Sequence, residues 1–216
     1  MNEMTRPSAL LGPEDPAPVG KVEGSQTSPF LLICDHAGNA VPAALRDLGL
    51  PAAELERHIA IDRGALQVAR RLADRLAAPL IFQRYSRLVI DCNRRPKALD
   101  SIPAVSDGTE VVANRELDEA GRRARLTEIL LPYHRCIEEA LEARAAARQA
   151  TLLVSVHSFT PELRARPTAR PWHLGLCWGH DRRFNDAVLA ALEKQEPDLP
   201  LGRNEPYAVD MEHDYS

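Results

Sequence analysis

Two histidines stand directly after short apolar runs: His36 follows residues 30–34 with only Asp35 between, and His157 follows 152–156. Neutral imidazole is a common divalent-metal ligand, and two such rings at strand ends need only a carboxylate and water to complete a tetrahedral zinc site. Either histidine alone reads as an ordinary loop residue; their matched placement favours a shared metal. Arg87 and Arg94 flank Leu88-Val89-Ile90, with Asn93 adjacent. A guanidinium there either grips a substrate carboxylate through its planar fork or pairs with Asp91, and the sequence leaves both open. His58 precedes Asp62 by four residues, the spacing of one helix face. His134, in a helical context after Pro132-Tyr133, reads as structural, and His173, His180 and His213 carry no usable spacing.

These side chains need a scaffold that places them together. Continuous apolar runs at 30–34, 80–82, 88–90, 152–156 and 174–178 predict buried strands. Residues 63–77 put Leu66, Ala69, Leu72, Ala73 and Leu76 on one helical face. A second helix is expected over 116–149, broken or kinked at Pro132, and a third over 183–194. Residues 95–114 predict a long loop, with a turn at Ser106-Asp107-Gly108-Thr109. Strands alternating with helices imply an α/β fold with a mostly parallel sheet, whose ligand site lies beyond the carboxyl ends of the strands. The clusters at 35–39, 91–95 and 157–160 then share one rim. Residues 1–28, rich in Pro, Gly, Ser and acidic residues, predict a flexible arm ahead of a single domain over 29–216.

A net charge of -4 with no basic run excludes a general nucleic-acid or membrane-surface binder, although local basic pockets fit. No apolar run reaches membrane-spanning length and no secretory leader is recognisable, so a cytoplasmic protein is expected. The dispersed cysteines 34, 92, 136 and 177 form no C-x-x-C pair, and Cys34, Cys92 and Cys177 read as small core residues. No dinucleotide fingerprint, P-loop, nucleophile elbow or H-E-x-x-H is present.

The blocks Cys34-Asp35-His36-Ala37-Gly38-Asn39, His58-Ile59-Ala60-Ile61-Asp62-Arg63-Gly64-Ala65 and Tyr85-Ser86-Arg87-Leu88-Val89-Ile90-Asp91-Cys92-Asn93-Arg94 resemble the N-formylglutamate amidohydrolase family. So do Ser106-Asp107-Gly108-Thr109, Pro132-Tyr133-His134, Val156-His157-Ser158-Phe159-Thr160-Pro161, Arg170-Pro171-Trp172-His173 and Asn204-Glu205-Pro206-Tyr207, in that order. The resemblance covers nearly everything from about residue 30 onward.

It implies a three-layer αβα fold with a mostly parallel, mixed central sheet, of the zinc-carboxypeptidase and phosphorylase/hydrolase kind. It also implies one zinc ion activating water to hydrolyse a small acidic N-acyl amino acid, with N-formylglutamate as prototype. By the carboxypeptidase pattern His36 and His157 would be ligands, but the position of that pattern's glutamate ligand holds Asn39, a poor zinc ligand. Asp62 is the expected carboxylate, with Asp35 as fallback. Such a set also accepts manganese, iron or cobalt. Asn93-Arg94 resembles the pair that holds the substrate carboxylate; Asn39, Ser158 and Tyr207 join them as substrate-side candidates, and Arg87 assists the grip or steadies the developing oxyanion. The family's chains continue to a last strand carrying a glutamate and an arginine. This sequence ends at Ser216 without it: either the chain is a shortened one, or Glu205 or Glu212 substitutes as base, or catalysis is weak. A non-catalytic carboxylate-binding or sensor protein on the same fold is the alternative, and oligomeric state is left open.

Overall fold

The run predicted at 30–34 is β2 (Phe30–Cys34), and its pleat builds the core. Leu31 and Ile33 enter one apolar cluster, Leu32 and Cys34 another, all fully buried. A strand sends alternate side chains to opposite faces, so a run apolar at every position must be covered on both. Each buried Leu or Ile contributes about 1.5–3 kcal/mol of transfer free energy. The computed structural model describes residues 9–209 and 214, in two compact units, one ending at Ser158 and the other starting at Phe159. One domain over 29–216 was the expectation.

In the first unit β2 lies parallel to β3 (Leu80–Gln83) on one side and to β6 (Leu152–Ser155) on the other, and β1 (Val19–Val22) runs antiparallel on β3. The order is β1-β3-β2-β6. The arm expected over 1–28 therefore supplies an edge strand, and Leu10 is buried in the core. The polar composition of that segment hid it, because an edge strand needs few apolar residues. Residues 1–8 lie outside the described residues. β6, expected to be buried, is the opposite edge, with Leu152 and Leu153 partly exposed.

A four-residue helix α1 (Ala52–Leu55) precedes α2 (Ala65–Arg75), which connects β2 to β3. Ala65, Ala69 and Ala73 sit against the sheet, with Leu66, Leu72 and Leu76 around them. On the other face α3 (Val112–Arg115) and α4 (Glu119–Arg125) lead through a wide π turn (Leu126–Leu130) into α5 (Leu131–Ala146). Pro132 in the first turn of α5 lacks an N–H and crowds the carbonyl four residues back, and the wide turn absorbs both. The result is α2, sheet and α5 in three layers, as expected.

Leu88-Val89-Ile90 is not a strand. It is a fully buried turn whose carbonyls go to side chains instead of a ladder: Asn114 Nδ2 donates to Leu88 O (2.8 Å) and Arg125 Nη1 to Val89 O (2.9 Å). Buried carbonyls require partners, and side chains meet that need as well as a neighbouring strand does. The loop expected over 95–114 contains the hairpin β4 (Val105–Ser106) and β5 (Thr109–Glu110), closed by Asp107 and Gly108 at φ 44° and 79°. Two left-handed central residues are what a tight hairpin turn requires.

The second unit carries β7 (Leu174–Leu176) parallel to β8 (Leu201–Arg203), with α6 (Arg183–Gln195) between them in sequence. Cys34, Cys92 and Cys136 are buried as core residues, whereas Cys177 is exposed, its Sγ 2.9 Å from Tyr207 O.

Candidate metal site

β2 and β6 are parallel neighbours, so the residues that follow them emerge side by side. Gly38 lets the His36 loop lie on the backbone at Arg84, where a Cβ would stand 2.1 Å from the carbonyl oxygen. Asp62 joins them because its backbone N–H donates to His36 O (3.0 Å). His36, Asp62 and His157 each bring one donor atom to a group whose atoms all lie within 4.8 Å of one another. Roughly 3.3 Å between ligand atoms is what a tetrahedral zinc with bonds of about 2.0–2.1 Å requires.

Proton bookkeeping identifies the atoms. His36 Nε2 is 2.7 Å from Asp91 Oδ1; an ionised carboxylate only accepts, so Nε2 carries the hydrogen. That leaves Nδ1 of a neutral ring as a bare lone pair. It is buried without a hydrogen-bond partner, 3.5 Å from Asp62 Oδ2. On the other ring Nε2 faces Asp35 Oδ2 (3.2 Å), and Nδ1 faces the same Asp62 oxygen (2.9 Å). By the same reasoning His157 Nδ1 carries a hydrogen toward Asp62 in the metal-free protein, and a metal would displace that proton to use the nitrogen.

Charge counting agrees. Asp35, Asp62 and Asp91 are 1–4% exposed; Arg87 pairs with the last two, and the Arg94 charge also acts on Asp91. With both rings neutral, three buried carboxylates outnumber the arginines that act on them. Imidazolium protons or a divalent cation supply the missing positive charge, so the donor set fits zinc. Protons do it in the metal-free protein. Burial and Arg87 press the His36 pKa down, but Asp91 and Asp62 outweigh them and it is raised. Burial likewise opposes a charge on His157, yet its bonds to Asp35 and Asp62 push it up to about 10. Burial disfavours ionised Asp62 and Asp91, but the neighbouring imidazoles and Arg87 hold both well below the usual carboxylate range.

The other candidates fall in definite places. Arg87 donates from Nε (3.1 Å) and Nη2 (2.7 Å) to Asp91 Oδ2 and faces Asp62 Oδ1 at 3.5 Å, so the ion-pair reading describes its position here. Arg94 pairs with the largely exposed Asp100 (3.1 Å), and Asn93 N–H donates to Asp91 Oδ1 (2.9 Å). Ser158 N–H donates to Asp62 Oδ2 (3.1 Å). Asn39 Nδ2 is turned to Leu55 O and Glu56 Oε1, both at 3.0 Å. The fallback ligand Asp35 lies behind His157, on the nitrogen away from Asp62. His58 faces Asp107 (3.3 Å), and His134 Nε2 is 2.7 Å from Cys92 O. Tyr207 and Glu205 belong to the second unit. There Arg170 lies over the Tyr207 ring and donates to its hydroxyl (2.9 Å), and the Glu205 carbonyl packs where Gly175 and Gly202 have no side chain. Glu212 lies outside the described residues.

Sequence reasoning did not assign Asp91 to His36 or Ser155 to His157. For Asp91 a signal existed, an acid directly after a buried apolar run; for Ser155 there was none. Ser155 Oγ (3.0 Å from His157 Nε2), His157 and Asp62 also reproduce nucleophile–base–acid distances. Ser155 Oγ, however, donates to Asp35 (2.9 Å), and an alkoxide forming beside that buried carboxylate would meet like charge.

The family model described as FGase, N-formylglutamate amidohydrolase, matches residues 28–215. The crystal structure of a gene product of Agrobacterium tumefaciens is 37% identical, with a TM-score of 0.86, covering 92% of this chain and 77% of that one. The N-formylglutamate amidohydrolase of Ralstonia eutropha shares the fold at 19% identity and a TM-score of 0.53, over 88% of this chain and 77% of its own. No protein with a curated description matches this chain. Among the described residues no helix is long and apolar enough to cross a membrane.

Proposed function

The chain belongs to the N-formylglutamate amidohydrolase family, and on that premise we propose that it hydrolyses the amide bond of a small acidic N-acyl amino acid with one bound zinc ion, N-formylglutamate being the prototype. The observation that carries the metal is the convergence of two imidazole Nδ1 atoms on Asp62 Oδ2 while both Nε2 atoms face buried carboxylates. Bound zinc would supply a Lewis acid and a water acidic enough to attack at neutral pH.

The chain's own residues then have separate tasks. His36, Asp62 and His157 hold the cation; Asp91 and Arg87 hold His36 and Asp62 in place. The pair between Arg94 and Asp100, an acid that is 60% exposed, is a weak surface interaction that a substrate carboxylate can displace. With Asn93, Arg94 is the candidate grip, and Ser158 lines the same approach. Arg87, about a quarter exposed, is the candidate to steady negative charge on the scissile carbonyl oxygen.

Zinc-reconstituted protein should release free glutamate from N-formylglutamate through many turnovers, and a folded His36→Ala variant should not. Normal turnover by that variant would refute the proposal. A binding protein on the same fold is the second reading, favoured by Asn39, which occupies the position of the carboxypeptidase glutamate and is turned toward Leu55 and Glu56. It requires saturable binding of N-formylglutamate with no turnover.

A further inference from the structure

Asp35 is 1% exposed at the end of β2, a costly place for a carboxylate unless its oxygens are well served. Its Oδ2 receives the Ser155 hydroxyl at 2.9 Å and faces His157 Nε2 at 3.2 Å, while Ser155 Oγ is itself 3.0 Å from that nitrogen. The three form a closed triangle. A carboxylate donates nothing, so the hydroxyl proton points to Asp35; the hydroxyl lone pair and the carboxylate then both face Nε2, which must carry a hydrogen. With Nε2 committed to Asp35 and Ser155, Nδ1 is the atom that faces Asp62 at 2.9 Å and the one a metal would take by displacing its proton. Asp91 does the same for His36 through a different loop, so the two rings are fixed by two independent carboxylates.

We propose that Asp35, together with the Ser155 hydroxyl, is a positioning residue that holds the His157 ring by its Nε2–H and aims Nδ1 at the point it shares with Asp62 and His36. The inference rests on the metal-site reading for its consequence, but its geometric core does not need a metal. Without Asp35 the ring is free to flip or change tautomer, and one of three donor atoms loses its direction. Partners in this position typically change metal affinity by about 10–100-fold.

The test uses the full chain, its Asp35→Asn and Asp35→Ala variants and Ser155→Ala, with ¹⁵N-labelled histidine. In metal-free wild type the His157 Nε2–H should be visible and protected from exchange; in Asp35→Ala, with the melting temperature showing a folded protein, it should exchange rapidly. Zinc affinity by chelator competition should weaken about 10–100-fold in Asp35→Ala and less in Ser155→Ala, and zinc-loaded wild type should show Nδ1 as the coordinating nitrogen. A protected Nε2–H and unchanged zinc affinity in folded Asp35→Ala would overturn the proposal, as would coordination through Nε2. Should Asp35→Ala not fold, the same two readouts on Asp35→Asn and Ser155→Ala decide between these outcomes. Wild type that takes up no zinc would sink the metal reading instead, and the Nε2–H signal would still decide the role of Asp35.

Discussion

Ion pairing in the first unit and in the second differs in kind. Around His36 the acids Asp35, Asp62 and Asp91 are almost wholly buried, and each meets a ring nitrogen at 2.7–3.5 Å. In the second unit Arg182–Asp186, Arg183–Asp181 and Arg203–Glu193 lie with side chains between 47% and 89% exposed. Exposed pairs cost little to form and contribute little, since water and salt screen them. Buried carboxylates are destabilising on their own and persist only where partners compensate them. The first unit has concentrated three of them at one point, where its acids exceed its arginines. The buried set is therefore destabilising on its own, which is the imbalance that the proposed cation would offset.

The largest effect is expected at the three donor side chains. His36→Ala, His157→Ala and Asp62→Ala should each abolish measurable zinc binding in equilibrium dialysis while leaving a folded chain. Retention of wild-type affinity by any of them would remove that residue from the donor set.

A smaller effect is expected where the fold merely supports the site. Asn114 donates to Leu88 O and Pro103 O and accepts from Arg125 Nη1 (2.6 Å), so Asn114→Ala leaves buried groups without partners. Each such group costs about 1–3 kcal/mol. Denaturant unfolding should show a loss of that order, because the turn carrying Arg87 and Asp91 hangs on this amide.

The buried pairs also make stability depend on pH. His157 is raised in the folded state to about 10, from an ordinary histidine value of 6.5. The folded metal-free chain therefore binds more protons than the unfolded one between these values. That stabilisation is full below pH 6.5 and is lost as pH rises toward 10. Melting temperature of the metal-free protein should fall across this window, while apparent zinc affinity rises through it, since the metal must displace protons from the rings. A melting curve flat from pH 6.5 to 10 would contradict the buried pairing. At the other end of the scale, Arg182→Ala and Arg183→Ala should leave the unfolding midpoint unchanged within error.

How far the sequence disclosed this site depends on which residues are considered. Apolar runs before His36 and His157 were visible, and parallel pairing of β2 with β6 follows from them, so the two rings were legible together. Asp62 was not legible from periodicity: it follows a turn-rich stretch after α1, held by a backbone bond to His36 O, and only the family block singled it out. Leu88-Val89-Ile90 looked like a strand because burial, and not pairing, sets hydrophobicity; the partners that replace a ladder there, Asn114 and Arg125, lie 26 and 36 residues along the chain. β1 was hidden for the converse reason, since its pairing to β3 is through the backbone and asks little of its side chains.

Zinc titration of the purified, chelator-stripped chain, with metal counted per polypeptide by native mass spectrometry, tests the central claim most directly. One tightly held zinc in wild type and none in folded Asp62→Ala is the predicted result. Wild type that takes up no zinc, or Asp62→Ala that holds one as tightly, would contradict it.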